Sequence, residues 1–264
     1  MPDFTAKDVK ALRDATGAGM MDAKRALEAN NGDMEEAGKW LREQGITKSA
    51  ARTDRENSQG AVAVASRDDA SAIVELKCET DFTAKSDAFT SMVQTLADAV
   101  LADGEGAVDS HKDAIDDLKI TTKENIELGK VARVEASSGD LLDTYLHRQD
   151  GRGVNGVIVE LQGGTTEVAH AVALHIAFTK PGYLTRDEIP ADAIAAERET
   201  LEAVTRAEGK PDQAVPKIVD GRVNAWIADQ VLLEQKMIPD EKQPVEQAIG
   251  DAKVVRFVQA VIGA

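Results

Sequence analysis

Near residue 60 the spacing of apolar side chains changes from the period of a helix to that of a strand, so this chain cannot be all helix or all sheet. Upstream, residues 5–45 read as three short helices. Thr5 with Asp8 forms a capping-box pattern, and Val9 and Leu12 follow on one face. Gly17 and Gly19 interrupt the stripe before Met20, Ala23 and Leu27 start a second. Asn31-Gly32 marks a turn. Asp33 and Glu36 then cap a third helix carrying Met34, Ala37 and Leu41, which Gly45 is expected to end. Residues 47–59 are polar, have no strand period and read as a linker. Residues 60–65 and 71–78 follow as strands joined through Ser66–Asp69, with Val74, Leu76 and Cys78 on one face.

The helical period returns after Ser86, with Phe89, Met92, Val93, Leu96 and Val100 on one stripe. Residues 101–112 form a polar break and 122–129 suggest a short helix. Strands are expected at 131–136, 141–147 and 156–161, and a helix at 166–179. Pro190 opens a helix with Ile194, Leu201 and Val204. Gly209-Lys210-Pro211 breaks it, and Val215, Val219, Val223 and Trp226 mark its antiparallel partner. Val254 to Ile262 closes the chain as a strand. The predicted class is α+β, because strands and helices do not alternate regularly. The expected division is a three-helix module at 1–46, a linker at 47–59 and a first core part at 60–140. A second core part takes 141–189 and 230–264, and a helical hairpin takes 190–229.

With 264 residues, two domains each have room for a core. The formal net charge of −16 repels phosphate backbones, so direct nucleic-acid binding is not expected. One cysteine precludes an intrachain disulfide, which suits a reducing cytoplasm. No basic-then-apolar leader and no membrane-length apolar run are visible, and the expected location is cytoplasmic. No phosphate loop, no dinucleotide fingerprint and no zinc spacing occurs, so no cofactor and no metal ligand are expected. His170 and His175 are five apart, a poor fit to one helix face. Cys78 sits on an apolar strand face, where an inert buried thiol is the expectation and a nucleophile the alternative.

Two segments carry most of the functional signal. In Thr16-Gly-Ala-Gly-Met-Met21 the glycines either make a plain helix–helix turn or expose Met20 or Met21 as an adaptable apolar contact. In Cys78-Glu-Thr-Asp-Phe-Thr-Ala-Lys85, Asp81 either caps a helix while Phe82 fills the core, or the pair is an exposed probe for another protein.

These segments resemble those of bacterial elongation factor Ts. The ordered matches are Thr16–Lys24, Cys78–Phe82, Glu124-Asn125-Ile126, Tyr145-Leu-His147 and His175–Pro181. The resemblance implies a ubiquitin-associated-like N-terminal module, a two-part α+β core and a projecting helical hairpin. It implies a guanine-nucleotide exchange factor that binds elongation factor Tu in its GDP-bound and nucleotide-free states, without covalent chemistry. The exchange motif would be Thr80, Asp81, Phe82 and Thr83, disturbing the partner's magnesium and phosphate site. Partner contacts would be Met20, Met21, Lys24, Asn125, Ile126 and His147. A passive elongation factor Tu binder or chaperone is the alternative. Thr83 stands where the family usually has Val, and Arg148 to Asn155 lengthen a loop after His147.

Lacking a phosphate loop, the isolated chain should give no heat above dilution when titrated with GDP and magnesium. Saturable binding would overturn this reading.

Overall fold

The computed structural model describes residues 4–50, 52–239 and 242–263. Residues 1–3 of the predicted module, residue 51 of the linker, and residues 240, 241 and 264 of the second core part lie outside them. In chain order the helices and strands are α1 (Ala6–Thr16), α2 (Met20–Ala29), α3 (Met34–Ala50), β1 (Gln59–Arg67), β2 (Ala70–Cys78), α4 (Asp81–Ala84), α5 (Asp87–Asp103), α6 (Lys112–Thr122) and β3 (Glu127–Glu135). They continue as β4 (Leu141–Gln149), β5 (Arg152–Gln162), α7 (Thr166–Thr179), α8 (Ala191–Ala207), α9 (Val215–Gln230), α10 (Val245–Ala248) and β6 (Lys253–Val261).

The class is α+β, as the changing period implies. Two antiparallel three-stranded sheets, ordered β1-β2-β3 and β4-β5-β6, pack face to face, and each is covered by helices on its other side. Side-chain alternation separates the layers. Along β2, Ala72, Val74, Leu76 and Cys78 meet Phe89, Val93, Leu96 and Val100 of α5. The intervening Ile73 points the other way, into a core shared with Val62, Val134, Ile158 and Ala260. Along β5, Val157, Val159 and Leu161 face α7 through Val172, Ala173 and Ile176. Burying a side chain such as Phe89 contributes about 1.5–3 kcal/mol. The sheets approach closely at Gly156, where an added Cβ would lie 2.8 Å from both Ile73 and Val62.

The N-terminal helices enclose their own core of Val9, Leu12, Ala23, Ala26, Leu27, Ala37 and Leu41. The capping box at Thr5 and Asp8 is present, and Asp33 accepts from the amides of Glu35 and Glu36. Gly45 does not end α3. The helix runs on to Ala50, into the stretch read as linker, and at Gly45 it lies against Ile120 of α6 so tightly that a Cβ would stand 2.8 Å from that side chain. Arg42 of α3 also reaches Asp113 and Asp117 of α6, each at 3.5 Å.

Three other expectations change. The helix placed at 122–129 lies instead at Lys112–Thr122, with Ile115 and Leu118 buried, and Lys123 ends it in a left-handed conformation, φ 61°. Residues 148–155 do not lengthen a loop but a hairpin: β4 and β5 extend through them and turn tightly at Asp150-Gly151. Val204 is exposed, while the α8–α9 hairpin closes over Val215, Val219, Val223 and Ile227 with Ile194 and Leu201 against them. Among the described residues no helix is long and apolar enough to cross a membrane.

His175 on α7 is fully buried. Its Nε2 lies 2.9 Å from Gln235 Oε1, and its Nδ1 accepts from the Ile238 amide at 3.4 Å. One nitrogen accepts and one donates, so the ring is neutral. Burial lowers its pKa below the ordinary histidine value. The unfolded chain therefore takes up this proton first as pH falls, and stability should decline below about pH 6.5. Urea midpoints at pH 7.5 and 5.5 should differ less for His175→Gln than for the natural chain; equal differences would exclude His175 as the source.

Candidate functional site

Strand β2 ends at Cys78, and the chain turns into the single-turn helix α4. A four-residue helix does not hold itself together. Thr80 caps it by accepting from the Thr83 amide at 3.3 Å, and Ala84 anchors it in the core beside α5. Ser86 then caps α5. This leaves Phe82 at 84% exposure, the most exposed large apolar residue described. Of the two readings of the Asp81-Phe82 pair, the structure holds the exposed ring. The N-cap role falls to Thr80, not to Asp81.

Asp81 is held by Lys85, whose Nζ lies 2.7 Å from Asp81 Oδ2 and 3.2 Å from Asp150 Oδ2. The Lys85 hydrogen bond, its charge and that of Arg152 keep the Asp81 carboxyl below its ordinary pKa. Lys85 is raised by the same bond, then by Asp150. Asp150 belongs to the β4–β5 turn, so the lengthened hairpin reaches the motif. The Cys78 thiol donates to the Thr80 carbonyl at 3.2 Å, and burial, then the Glu124 charge, pushes its pKa up to about 12. At neutral pH it stays protonated and is no nucleophile.

Thr83 has an internal partner. Its hydroxyl donates to Glu124 Oε1 at 2.7 Å, and the Thr80 hydroxyl donates to the same oxygen at 2.6 Å. The hydroxyl that distinguishes Thr83 from the usual Val thus ties the motif to the protein's own frame.

The expected partner contacts do not converge. Met20 and Met21 are 50% and 64% exposed on α2, with Lys24 one turn on and 3.6 Å from Glu28. Asn125 and Ile126 are buried. Ile126 is fully buried against the α5 core, and Asn125 spends its side-chain amide on the carbonyls of Thr53 and Arg55, at 3.2 and 2.8 Å. Neither offers a side chain to a partner in this conformation. His147 is exposed and stacks with Tyr145, ring centroids 6.5 Å apart. It lines an open groove of about 690 Å³ shared with Gln149, Leu174 and Phe178.

Phe178, 74% exposed, escaped sequence reasoning. The available signal was its place off the buried α7 stripe of Ala169, Val172, Ala173, Ile176 and Ala177. Glu124 was legible as part of a matched segment and Lys85 as the end of the motif's own segment, but the bonds that join them to Thr80, Thr83 and Asp81 were not. Among the described residues no cluster of His, Cys, Asp or Glu is arranged to hold a metal ion.

A family model described as Elongation factor TS matches residues 79–264. The chain belongs to the elongation factor Ts family. It is 40% identical to the Elongation factor Ts of Clavibacter michiganensis subsp. michiganensis over 278 aligned positions, covering all of both chains. It is equally identical to that of Corynebacterium aurimucosum over 281 positions, again covering both fully. The Mycobacterium ulcerans relative is 40% identical over 277 positions, all of this chain and 99% of the relative. Membership makes this a protein of translation elongation.

Because the Phe82 ring contributes no core packing, Phe82→Ala should change unfolding stability by less than about 0.5 kcal/mol. Thr83→Val should cost about 1 kcal/mol by removing one donor from Glu124. Urea denaturation checks both, and a larger loss for Phe82→Ala than for Thr83→Val would reverse the assignment.

Proposed function

We propose that this chain binds elongation factor Tu in the cytoplasm and accelerates release of its GDP, so that GTP can reload. The observation that carries the proposal is the exposed Phe82 beside the lysine-held Asp81 on a one-turn helix. An apolar ring left in water gains only when it enters a partner. Full burial of a Phe contributes about 1.5–3 kcal/mol, enough for about a ten- to hundredfold change in rate.

In a GTPase, GDP is held through its phosphates and a bridging magnesium ion. A factor speeds release only by binding the loosened state better than the closed one. Phe82 inserting between partner helices supplies that difference, and Asp81 brings a negative charge and hydrogen-bond acceptors toward the magnesium region. The chain forms and breaks no covalent bond in this role. Met20, Met21 and Lys24 supply a separate contact from the N-terminal module. His147 of β4 and Phe178 of α7, which line the groove, supply a third.

Stopped-flow release of labelled GDP from elongation factor Tu tests the proposal. The natural chain should speed release, and Phe82→Ala should lower that effect by about tenfold or more. Coupling is reciprocal, so saturating GDP and magnesium should weaken binding of this chain by the factor it weakens GDP. Binding without accelerated release would leave the passive binding protein as the better description.

A further inference from the structure

The structure assigns Glu124 as the positioning residue that holds the Thr80–Thr83 motif in shape for exchange. This inference rests on the exchange reading above and names the device behind it. One carboxylate receives four donors. Oε2 accepts from the amides of Glu79 and Thr80 at 3.0 and 3.1 Å, and Oε1 accepts from the hydroxyls of Thr80 and Thr83. These donors bracket the start of α4, whose four residues carry both Asp81 and Phe82. With both oxygens filled from inside the chain, Glu124 has little left to offer a partner.

Its own position is fixed from two sides. Lys123, in the left-handed conformation, reverses the chain as α6 ends and turns Glu124 back toward β2. On the other side Asn125 donates its amide N–H to Glu79 Oε1 at 2.6 Å, so the segment after β2 and the segment after α6 exchange backbone–carboxylate bonds in both directions. The geometry is a clasp between two chain segments 45 residues apart. Without it the backbone at the start of α4 keeps only a single turn, the Ala84 anchor and the exposed Lys85 bridge at its far end, and ordering a few backbone residues at the moment of binding is costly.

A positioning role predicts a particular kinetic split. The rest of the interface still binds the partner, so the half-saturating concentration should change little. The maximal rate should fall, because a disordered Phe82 drives the loosened state poorly. Glu124→Ala should therefore lower the saturating GDP-release rate by about tenfold or more, with half-saturation within about threefold. Glu124→Gln should recover most of the rate: its carbonyl can keep the two amides, and its NH₂ can donate to hydroxyls that rotate to accept.

The full-length natural chain, Glu124→Ala and Glu124→Gln are compared by stopped-flow GDP release from elongation factor Tu, and by amide hydrogen exchange of residues 79–85 in the free chain. The expected result is lost protection and lost maximal rate in Glu124→Ala, and recovery of both in Glu124→Gln. A natural chain that fails to speed release overturns the exchange reading and this inference with it. Exchange by Glu124→Ala at the natural rate, or a loss confined to half-saturation, overturns the inference alone.

Discussion

The contact between the two sheets is the constraint on which the rest depends. β2 and β5 are central strands buried on both faces, and their inward residues, Ile73 and Ile158, lie in one core with Val62, Val134 and Ala260. Gly156 lets the sheets close on each other where any side chain would strike Ile73 and Val62. That closure makes two halves, each able to bury one helix-covered face, into one body. It also brings the β4–β5 turn of the second half to the end of β2 in the first, where Asp150 meets Lys85.

The motif at the end of β2 is therefore held from three directions. Glu124 fixes its backbone from α6, Ala84 anchors it in the α5 core, and the Lys85 bridge ties Asp81 to the hairpin of the other sheet. The ion pairs are exposed and individually weak. The clasp is stronger, because charge-assisted hydrogen bonds to backbone amides have fixed geometry. The N-terminal module shares this frame: α3 packs on α6 at Ile120, and residues 120–125 lead directly from that contact to Glu124 and to the linker carbonyls held by Asn125.

Much of this was legible in the chain. The change of period near residue 60 separated helices from sheet, and the stripe from Phe89 to Val100 marked the helix that covers β1 and β2. The helix at 166–179 and the break at Gly209-Lys210-Pro211 needed no tertiary information, because caps, turns and periodicity act within a few residues. The helix at Lys112–Thr122 was misplaced because its buried stripe is only Ile115 and Leu118, too sparse to set a phase. Gly45 read as a terminator because a glycine that stops a helix and one that lets two helices touch look alike in a sequence.

The sequence by itself determined the class of fold, the family, and where along the chain an acidic residue and an aromatic stand side by side. Only the tertiary structure decided that Phe82 faces solvent while Ile126 is fully buried, that Thr83 bonds to Glu124, and that Asp150 reaches Lys85. Local pattern fixes which residues share a face of one helix or strand. Whether that face meets solvent or another layer, and which side chains 45 or more positions apart come within hydrogen-bond reach, depends on how the two sheets close.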